Sequence, residues 1–356
     1  MANIRILIVD DSSPIRSSIS SLLGEEPDLQ VVGIARNGRI GVEKVMQVRA
    51  DIVLLDIEMP EMDGMTALKI IRKDHPDLPI IMFSALTKRG ASQTLEALAL
   101  GADDYVAKPS MEKNLDQALE NCKRELVPKI RALCGRATPD KRATVRVPAP
   151  NPGKVSGRTD IVVLTASTGG PSALEELLPR FPANCPVPFV IVQSMLPLLI
   201  KSFVERLQSQ CRMNVMETGD ARPLIPGIYI ATGGKHTVVE RVADQIQIRA
   251  TEGASENSFL PSADVLLRSV TGVYGGNCTV GILTGMGDNG LKGCEHVYGC
   301  GGEILVQDQE SSKVWGMPAA VLEAGLAHGV FPLNAFYEQI HRRIQASKSI
   351  PVMATP

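Results

Sequence analysis

The N-terminal third of the chain alternates between short apolar runs and longer segments with helical periodicity. Each apolar run is continuous, so it predicts a strand that is buried on both faces of a parallel sheet, and each segment between them predicts a helix. The sequence DDSSPIR around Pro14 indicates a helix start, because proline suits the first helical positions. We therefore predict a doubly wound α/β domain with strands at 4–9, 31–35, 52–55, 80–83 and 104–107.

Polar side chains stand at the ends of four of these five predicted strands. Three carboxylates in one cleft repel each other unless a hard cation lies among them, and an oxygen-rich site suits Mg²⁺. A lysine and a hydroxyl beside them could take up the charge of a phosphoryl group. Ordinary solvated loops explain any one of these residues but explain the whole set poorly, since strand ends of such a sheet form the ligand site. The residues are Asp10, Asp11, Asp56, Ser84 and Lys108.

A second α/β pattern begins at about Thr159, after a segment of different composition. Residues 128–158 are rich in Pro, Gly, Lys and Arg and poor in apolar periodicity, which indicates a linker. The basic residues raise the alternative of a nucleic-acid arm, but no helix-turn-helix pattern or aromatic platform accompanies them. Further buried strands are predicted at 161–164, 188–193, 228–231 and 280–284.

Glycine-rich turns follow the strands of this second domain. In TASTGG, Ser167 stands at a strand-to-helix junction, where a hydroxyl is exposed and backbone N–H groups point outward. The glycines of GMGDNG allow the close backbone approach that an oxyanion-binding loop requires. Taken singly, the first turn also fits a phosphate cradle or a simple helix cap, and the second fits a tight corner. Their common position at strand ends favours a shared site.

Composition narrows the class of protein. The 356 residues suit two domains, and 44% apolar with 21% charged residues is typical of a soluble globular chain. A net charge of −2 gives no general reason to bind nucleic acid or an anionic membrane. The start MANIRILIVDD lacks the pattern of a signal peptide, and no apolar run is long enough to span a bilayer, so we expect a cytoplasmic monomer with no direct membrane insertion. The seven cysteines lack C-x-x-C spacing and are expected to stay reduced.

Residues 3–122 resemble the response-regulator receiver domain, with every motif position filled. The resemblance implies a flavodoxin-like fold, phosphorylation by a chemotaxis histidine kinase, and Mg²⁺ as cofactor. It also implies a turn at Lys108 and Pro109 whose peptide bond is often cis. The roles it implies are Asp56 as phosphate acceptor, Asp10, Asp11, Asp56 and the backbone carbonyl of Glu58 as metal ligands, Ser84 and Lys108 as phosphoryl contacts, and Tyr105 as switch aromatic.

Residues 159–345 resemble the catalytic domain of the chemotaxis protein-glutamate methylesterase (CheB) family. The motifs are TASTGG, QSMLPLLIKSFVERL, PGIYIATGGKH, LPSADVLL, ILTGMGDNG and WGMPAAV. The resemblance implies a doubly wound parallel-sheet effector domain without a cofactor. It further implies that this domain removes methyl groups from glutamyl esters of methyl-accepting chemoreceptors, deamidates receptor glutamines, and is blocked until the receiver is phosphorylated. The expected division is receiver 1–125, linker 126–158, effector 159–346 and tail 347–356.

Two family roles fall on unexpected residues. Ser167 matches the nucleophile, with Thr168 beside it, and Met286 matches the residue whose backbone binds the oxyanion. Ser194, however, stands where the family has its general-base histidine, and Asn289 stands where it has the triad aspartate. Loss of a triad histidine costs roughly a million-fold in kcat, and loss of the aspartate alone costs about ten-thousand-fold.

Two hypotheses about function therefore stay open. In the first, the chain is a phosphorylation-regulated methylesterase and glutaminase that is slow or uses an unusual base or acid, for which His236 and Asp288 are the candidates. In the second, it is a catalytically silent, phospho-regulated binding module that docks receptors or acts as a phosphate sink. The missing base and acid predict weak or absent hydrolysis in either case.

Overall fold

The computed structural model describes residues 3–85, 87–109, 115–135 and 155–348. The chain divides into two compact units, residues 1–145 and residues 146–356. Most of the predicted linker and most of the predicted tail lie outside the described residues. Within the described part of the chain, no helix combines the length and the apolar character needed to cross a membrane.

The first unit is a five-stranded parallel sheet between helices. The sheet order is β2-β1-β3-β4-β5, so the chain reverses its direction of travel across the sheet between β1 and β3. The strands are β1 (Ile4–Val9), β2 (Leu29–Ala35), β3 (Ile52–Asp56), β4 (Ile80–Ser84) and β5 (Asp104–Ala107), and the helices are α1 (Ser13–Gly24), α2 (Gly38–Val48), α3 (Gly64–Asp74), α4 (Lys88–Ala99) and α5 (Leu115–Leu133).

Helix α5 extends past residue 126, where the sequence predicted that the linker begins. It continues through Pro128 to Leu133. Proline in a helix interior removes one backbone hydrogen bond and normally disfavours continuation. Here the cost is offset because Leu126, Val127 and Ile130 are buried against the core that includes α1 and the central strands. Burial of three side chains outweighs the local propensity on which the linker prediction relied.

The second unit is built on a larger parallel sheet. Its order is β15-β14-β13-β6-β7-β10-β8, with a small antiparallel sheet β11-β12-β9 beside it. The strands are β6 (Ile161–Ala166), β7 (Phe189–Gln193), β8 (Val215–Glu217), β9 (Arg222–Pro223), β10 (Ile228–Ile230), β11 (His236–Val242), β12 (Gln245–Thr251), β13 (Cys278–Ile282), β14 (Glu303–Gln307) and β15 (Gly329–Phe331). The helices are α6 (Gly170–Leu177), α7 (Pro197–Gln210), α8 (Ala263–Tyr274), α9 (Leu291–Gly299), α10 (Met317–Glu323) and α11 (Leu333–Lys348), with a 3₁₀ turn at Leu178–Arg180.

Each unit therefore has one topological switch point, and each switch point carries polar residues. In a doubly wound sheet, the crevice at the switch point opens at the carboxyl ends of the strands and is where ligands bind. In the first unit this crevice lies between β1 and β3, and in the second it lies between β6 and β13. The predicted fold class, two doubly wound α/β domains, is confirmed. One backbone detail differs, because the cis peptide bond found among the described residues precedes Pro261, not Pro109.

Candidate functional site

The first crevice gathers three carboxylates around one lysine. Oxygen atoms of Asp10, Asp11 and Asp56 lie within 4.8 Å of one another. Lys108 reaches from the end of β5, with its Nζ 2.6 Å from Asp56 Oδ2 and 2.9 Å from Asp10 Oδ2. The backbone N–H of Glu58 donates to Asp56 Oδ1 at 3.3 Å. A cluster of hard oxygen atoms at this spacing fits a small divalent cation, so the residues present suit the predicted Mg²⁺.

Burial and charge set the protonation of this cluster. Burial raises the pKa of Asp56 from 3.8 to about 6, against the opposing effect of Lys108, and the nearby Asp10 raises it further. Burial alone would lower the pKa of Lys108, but the carboxylates of Asp56 and Asp10 outweigh burial, so that pKa is raised. At neutral pH the Asp56 carboxylate is thus ionised, as a nucleophile must be, and the lysine is charged beside it.

The remaining receiver residues lie along the next two strands. Ser84 ends β4, and its Oγ accepts a hydrogen bond from Thr94 Oγ1 at 2.7 Å. Tyr105 in β5 is buried, and the Nζ of Lys129 lies 4.9 Å from its ring centroid. The same ammonium group donates to the backbone carbonyl of Tyr105 at 2.7 Å and to Asp104 at 3.1 Å. Lys129 therefore ties the predicted switch aromatic to α5, which sequence reasoning did not anticipate.

Gly64 is a second residue that sequence reasoning missed. Its N–H donates to the carbonyl of Ile57 at 2.9 Å, and this contact folds the loop after Asp56 back onto the strand. A Cβ atom at position 64 would lie 1.9 Å from the carbonyl oxygen of Asp56. The MDG sequence after Asp56 was the available signal, because glycine is the residue that permits such a close approach.

We expect Gly64→Ala to displace the loop that carries Asp56 and to lower phosphoryl uptake by at least about tenfold, because shifts of about 1 Å matter strongly in catalysis. The measurement is phosphorylation from a small phosphodonor with Mg²⁺. Gly24→Ala is the matched control, since no atom lies within 4 Å of the added Cβ. Equal uptake by both variants would contradict the role given to Gly64.

The second crevice is built around the turn after β6. Ser167 leaves β6, and its N–H donates to the carbonyl of Thr284 at 3.0 Å. Gly169 follows with a φ of 77°, and the carbonyl of Ser167 accepts hydrogen bonds from Gly170 N–H and from Gln193 Nε2. Since these contacts fix the backbone on both sides, Ser167 is held at the start of α6 with its side chain partly exposed.

The glycine loop after β13 lies against this turn. A Cβ atom at Gly285 would be 2.9 Å from Ser167 Cβ, so the two backbones approach as closely as glycine allows. Among the described residues, the N–H of Met286 has no hydrogen-bond partner, whereas the N–H of Gly285 donates to Val314. The free N–H of Met286 thus belongs to the residue after Gly285, which lies against Ser167, and this is the position that the sequence predicts for an oxyanion donor.

Thr284 and Gln307 hold the loop in place, and sequence reasoning missed both. Thr284 Oγ1 donates to the carbonyl of Thr168 at 2.9 Å, and its N–H donates to Gln307 Oε1 at 2.8 Å. Gln307 is fully buried at the end of β14. The available signal was the sequence EILVQ, in which the polar Gln307 ends a buried strand. Polar residues at strand ends also indicated the site in the first unit.

The two departures from the family pattern lie in this crevice. The N–H of Ser194 donates to the carbonyl of Ala166 at 3.1 Å, which brings Ser194 beside the Ser167 turn. Asn289 is buried, and its Oδ1 accepts the N–H of Ala263 at 2.8 Å. Because an N–H group needs an acceptor, this bond fixes the orientation of the amide and leaves Nδ2, a donor, for the rest of the site.

Neither His236 as a base nor Asp288 as an acid is placed to complete a triad with Ser167. His236 is buried, its Nε2 contacts the carbonyl of Ala254 at 2.9 Å, and its Nδ1 accepts the N–H of Ser262 at 3.2 Å. Both ring nitrogens are therefore engaged with backbone groups, and neither of them is free to accept a hydrogen bond from Ser167 in this structure. Asp288 has an exposed side chain, whereas the neighbouring Asn289 points inward. The hypotheses that His236 is the base and that Asp288 is the acid are both disfavoured by this geometry.

Comparison with known proteins covers both units. The family model of the CheB methylesterase matches residues 162–340. The family model of the response regulator receiver domain matches residues 6–120. A protein-glutamate methylesterase/protein-glutamine glutaminase of Trichodesmium erythraeum is 44% identical over 97% of this chain and 100% of its own length. One of the same name from Nocardioides sp. is 43% identical over 97% of this chain and 96% of its own length.

A solved structure supports the effector fold. The crystal structure of the Thermotoga maritima CheB methylesterase catalytic domain matches with a TM-score of 0.50 and 34% identity, over 52% of this chain and 98% of that one. The two matched family models together define a response regulator that joins a receiver domain to an effector domain of the methylesterase type. This chain belongs to the CheB methylesterase family and carries a response regulator receiver domain.

Proposed function

We propose that the chain is a chemotaxis response regulator whose effector domain hydrolyses glutamyl methyl esters and deamidates glutamines of chemoreceptors, under control of Asp56 phosphorylation. The observation that carries the proposal is the 44% identity to a methylesterase/glutaminase across 97% of the chain, with Ser167 at the switch-point crevice. The names of the relatives support hydrolysis, and no comparison favours a catalytically silent module.

In the receiver, Asp56 attacks the phosphorus of the phosphoryl group on the kinase histidine; the P–N bond breaks, the kinase imidazole leaves, and an acyl phosphate forms on Asp56. Asp10, Asp11, Asp56 and the carbonyl of Glu58 would hold Mg²⁺, which neutralises phosphoryl charge when it is bound. Lys108 already lies at Asp56 Oδ2 and would contact a phosphoryl oxygen, as would Ser84 Oγ. Phosphorylation adds negative charge beside Lys108, so it changes the ion pairs that this lysine makes.

In the effector domain, Ser167 Oγ attacks the ester carbonyl, and Met286 N–H stabilises the resulting oxyanion. Methanol leaves, and water releases the glutamate from the serine. Among the described residues, Ser167 Oγ makes no hydrogen bond to a side chain that could act as a base, so we expect solvent to take the Ser167 proton. Without a triad, an oxyanion site and substrate binding still accelerate such reactions by about 10³–10⁴-fold over water, which predicts slow turnover.

The test is methanol release from membranes that contain methylated receptors. Purified full-length protein, phosphorylated by a small phosphodonor with Mg²⁺, is expected to release methanol slowly and faster than its unphosphorylated form. Ser167→Ala is expected to remove the release, with circular dichroism as the check on folding. If wild type and Ser167→Ala release methanol equally, the hydrolase proposal fails and the silent binding module becomes the better account.

A further inference from the structure

A segment that follows β14, residues 313–317, lies against the turn that carries Ser167. The N–H of Val314 donates to Thr284 Oγ1 at 3.0 Å. The same hydroxyl donates to the carbonyl of Thr168, the residue after Ser167, at 2.9 Å. Thr284 is buried. One buried hydroxyl therefore ties the segment 313–317 to the backbone of the Ser167 turn.

The same segment is also fixed to the glycine loop. The N–H groups of Gly316 and Met317 donate to the carbonyl of Gly285 at 3.0 Å and 2.8 Å. A Cβ atom at Gly316 would lie 3.2 Å from Met286 Cα. Because the segment 313–317 is bonded to both loops of the crevice, the side chains that it carries are held in a defined place relative to the candidate nucleophile and the oxyanion donor.

Lys313 is the charged residue of this segment, and its stem packs on the Ser167 turn. A Cβ atom at Gly169 would lie 2.7 Å from Lys313 Cβ and 2.9 Å from Lys313 Cγ, which is closer than two side chains can approach. The lysine stem thus takes the space that a side chain at position 169 would need. Lys313 as a whole is exposed. A lysine of this kind lays its methylene groups on the protein surface and keeps its ammonium group in water, so the charge stands at the rim of the crevice.

The chemistry of an exposed ammonium group limits what Lys313 can do at this rim. Such a group has donors but no acceptor, so it cannot take the proton of Ser167. Water and salt screen its effect on an oxyanion inside the crevice, where a backbone N–H such as that of Met286 acts at close range. An anionic group of the substrate, outside the reacting ester, is the partner that fits. Asp288 is exposed on the glycine loop and has the opposite charge, so an anion is disfavoured near that loop.

We propose that Lys313 is a specificity-determining residue of the effector domain, whose ammonium group binds a carboxylate side chain of the substrate beside the glutamyl ester. The inference rests on the proposed function, because it places a glutamyl ester at Ser167. It adds the substrate class, which is a protein segment with an acidic side chain on the Lys313 side of the ester and none on the side of Asp288.

The expected effect is modest and depends on salt. An ion pair between exposed side chains stabilises a complex weakly, and ions in solution screen it. We therefore expect about a two- to fivefold preference for a substrate with the carboxylate over one with an amide in its place, and this preference should decline as ionic strength rises. It should fall on KM rather than kcat, because the ion pair is equally present in the bound ester and in the transition state.

The first experiment measures the binding of labelled peptides to full-length Ser167→Ala protein by fluorescence anisotropy, with a small phosphodonor and Mg²⁺ present. Each peptide carries one glutamyl methyl ester and one neighbouring residue, either glutamate or glutamine, whose position is varied through the series. We expect a position at which the glutamate peptide binds about two- to fivefold more tightly. Lys313→Met, which keeps an unbranched stem on Gly169, should remove the preference, and Lys313→Arg should keep it. Lys313→Glu should reverse it in favour of a lysine at that position of the peptide.

Arg342→Met is the matched control for the loss of one positive charge. Arg342 is exposed on α11, and its neighbour Arg343 pairs with Glu303 at the start of β14, which is the edge of the sheet opposite the crevice. The control should leave the preference for the glutamate peptide unchanged. A preference that persists in Lys313→Met, or that Arg342→Met removes equally, would overturn the role of Lys313.

The second experiment measures kcat and KM for methanol release from the same peptides by the phosphorylated full-length protein. A preference that falls on kcat alone would overturn a role in recognition. Equal affinity for the glutamate and glutamine peptides at every position, or no saturable binding of any peptide, would also overturn it. Neither result affects methanol release from receptor membranes, so the proposed function would stand. The expected binding preference with no methanol release from peptides or membranes would instead count against the hydrolase function alone.

Discussion

The double variant Ser194→His, Asn289→Asp is expected to release methanol from methylated receptors at least about 10³-fold faster than the wild-type chain. The nucleophile turn and the Met286 N–H are already in place, so the substitutions supply only the base and the acid that orients it. A histidine near pH 7 is an efficient acceptor for the serine proton, which neither Ser194 nor solvent can match. The assay is methanol release by the phosphorylated full-length protein.

The structure explains why both changes are needed. Asn289 Oδ1 is bound by Ala263 N–H, so the amide presents Nδ2 as a donor. An imidazole introduced at position 194 alone would meet this donor with its lone pair and would be held in the wrong tautomer for a base. An aspartate at 289 keeps one oxygen on Ala263 and offers the other as an acceptor. In a known serine triad, the corresponding aspartate-to-asparagine change costs about 10⁴-fold, through the same tautomer effect.

The controls separate chemistry from folding. Ser194→His alone and Asn289→Asp alone should each recover much less than the pair, because residues of a triad act as a unit. Adding Ser167→Ala to the double variant should remove the gain. The pH-rate profile of the double variant should rise with a pKa near 6 to 7, as expected for an unperturbed histidine. If the wild type instead turns over as fast as the double variant and loses that activity in His236→Ala, the result would show that His236 acts as the base, against the contacts seen in the structure.

Most of the sheet framework could be predicted from the sequence, because central strands carry their signal locally. The run at Ile4–Val9 and the strand at Asp104–Ala107 have the predicted bounds. The antiparallel pair β11 and β12 was not predicted, since its half-exposed residues give no continuous apolar run. The sequence also placed the start of the linker at residue 126, whereas α5 continues through Pro128 because Val127 and Ile130 are buried, which depends on tertiary packing.

In the candidate sites too, some residues could be predicted from the sequence and others only from the structure. Asp56 and Ser167 could be found because each directly follows or ends a buried strand, and strand ends converge in such sheets. Thr284 and Gln307 act through hydrogen bonds, and Thr284 N–H donates to Gln307 Oε1. Which strand ends lie next to each other depends on the order of the strands in the sheet, which the sequence does not show. The commitment of His236 to two backbone partners could be seen only in the structure.

Asp56→Asn is expected to abolish phosphoryl uptake from a small phosphodonor, because an amide cannot form the acyl phosphate. Removal of Mg²⁺ by a chelator is expected to have a similar effect on wild type, since the carboxylates of Asp10, Asp11 and Asp56 surround the place where the metal would sit. Asp77→Asn, in the exposed turn before β4, is the matched control and should be phosphorylated normally. The measurement is acid-labile phosphate on the full-length protein.

Lys108→Ala tests the contribution of the lysine while the phosphate acceptor Asp56 is kept. Lys108 Nζ lies 2.6 Å from Asp56 Oδ2, so its loss should leave Asp56 present but without the cation that stabilises the transferred phosphoryl group. We expect uptake that is strongly reduced yet still dependent on Asp56, and methanol release that no longer responds to phosphodonor. If the Asp56→Asn variant is still phosphorylated, the phosphoryl group is bound by another residue. If a chelator does not change uptake by the wild type, the carboxylate cluster does not act through a metal ion.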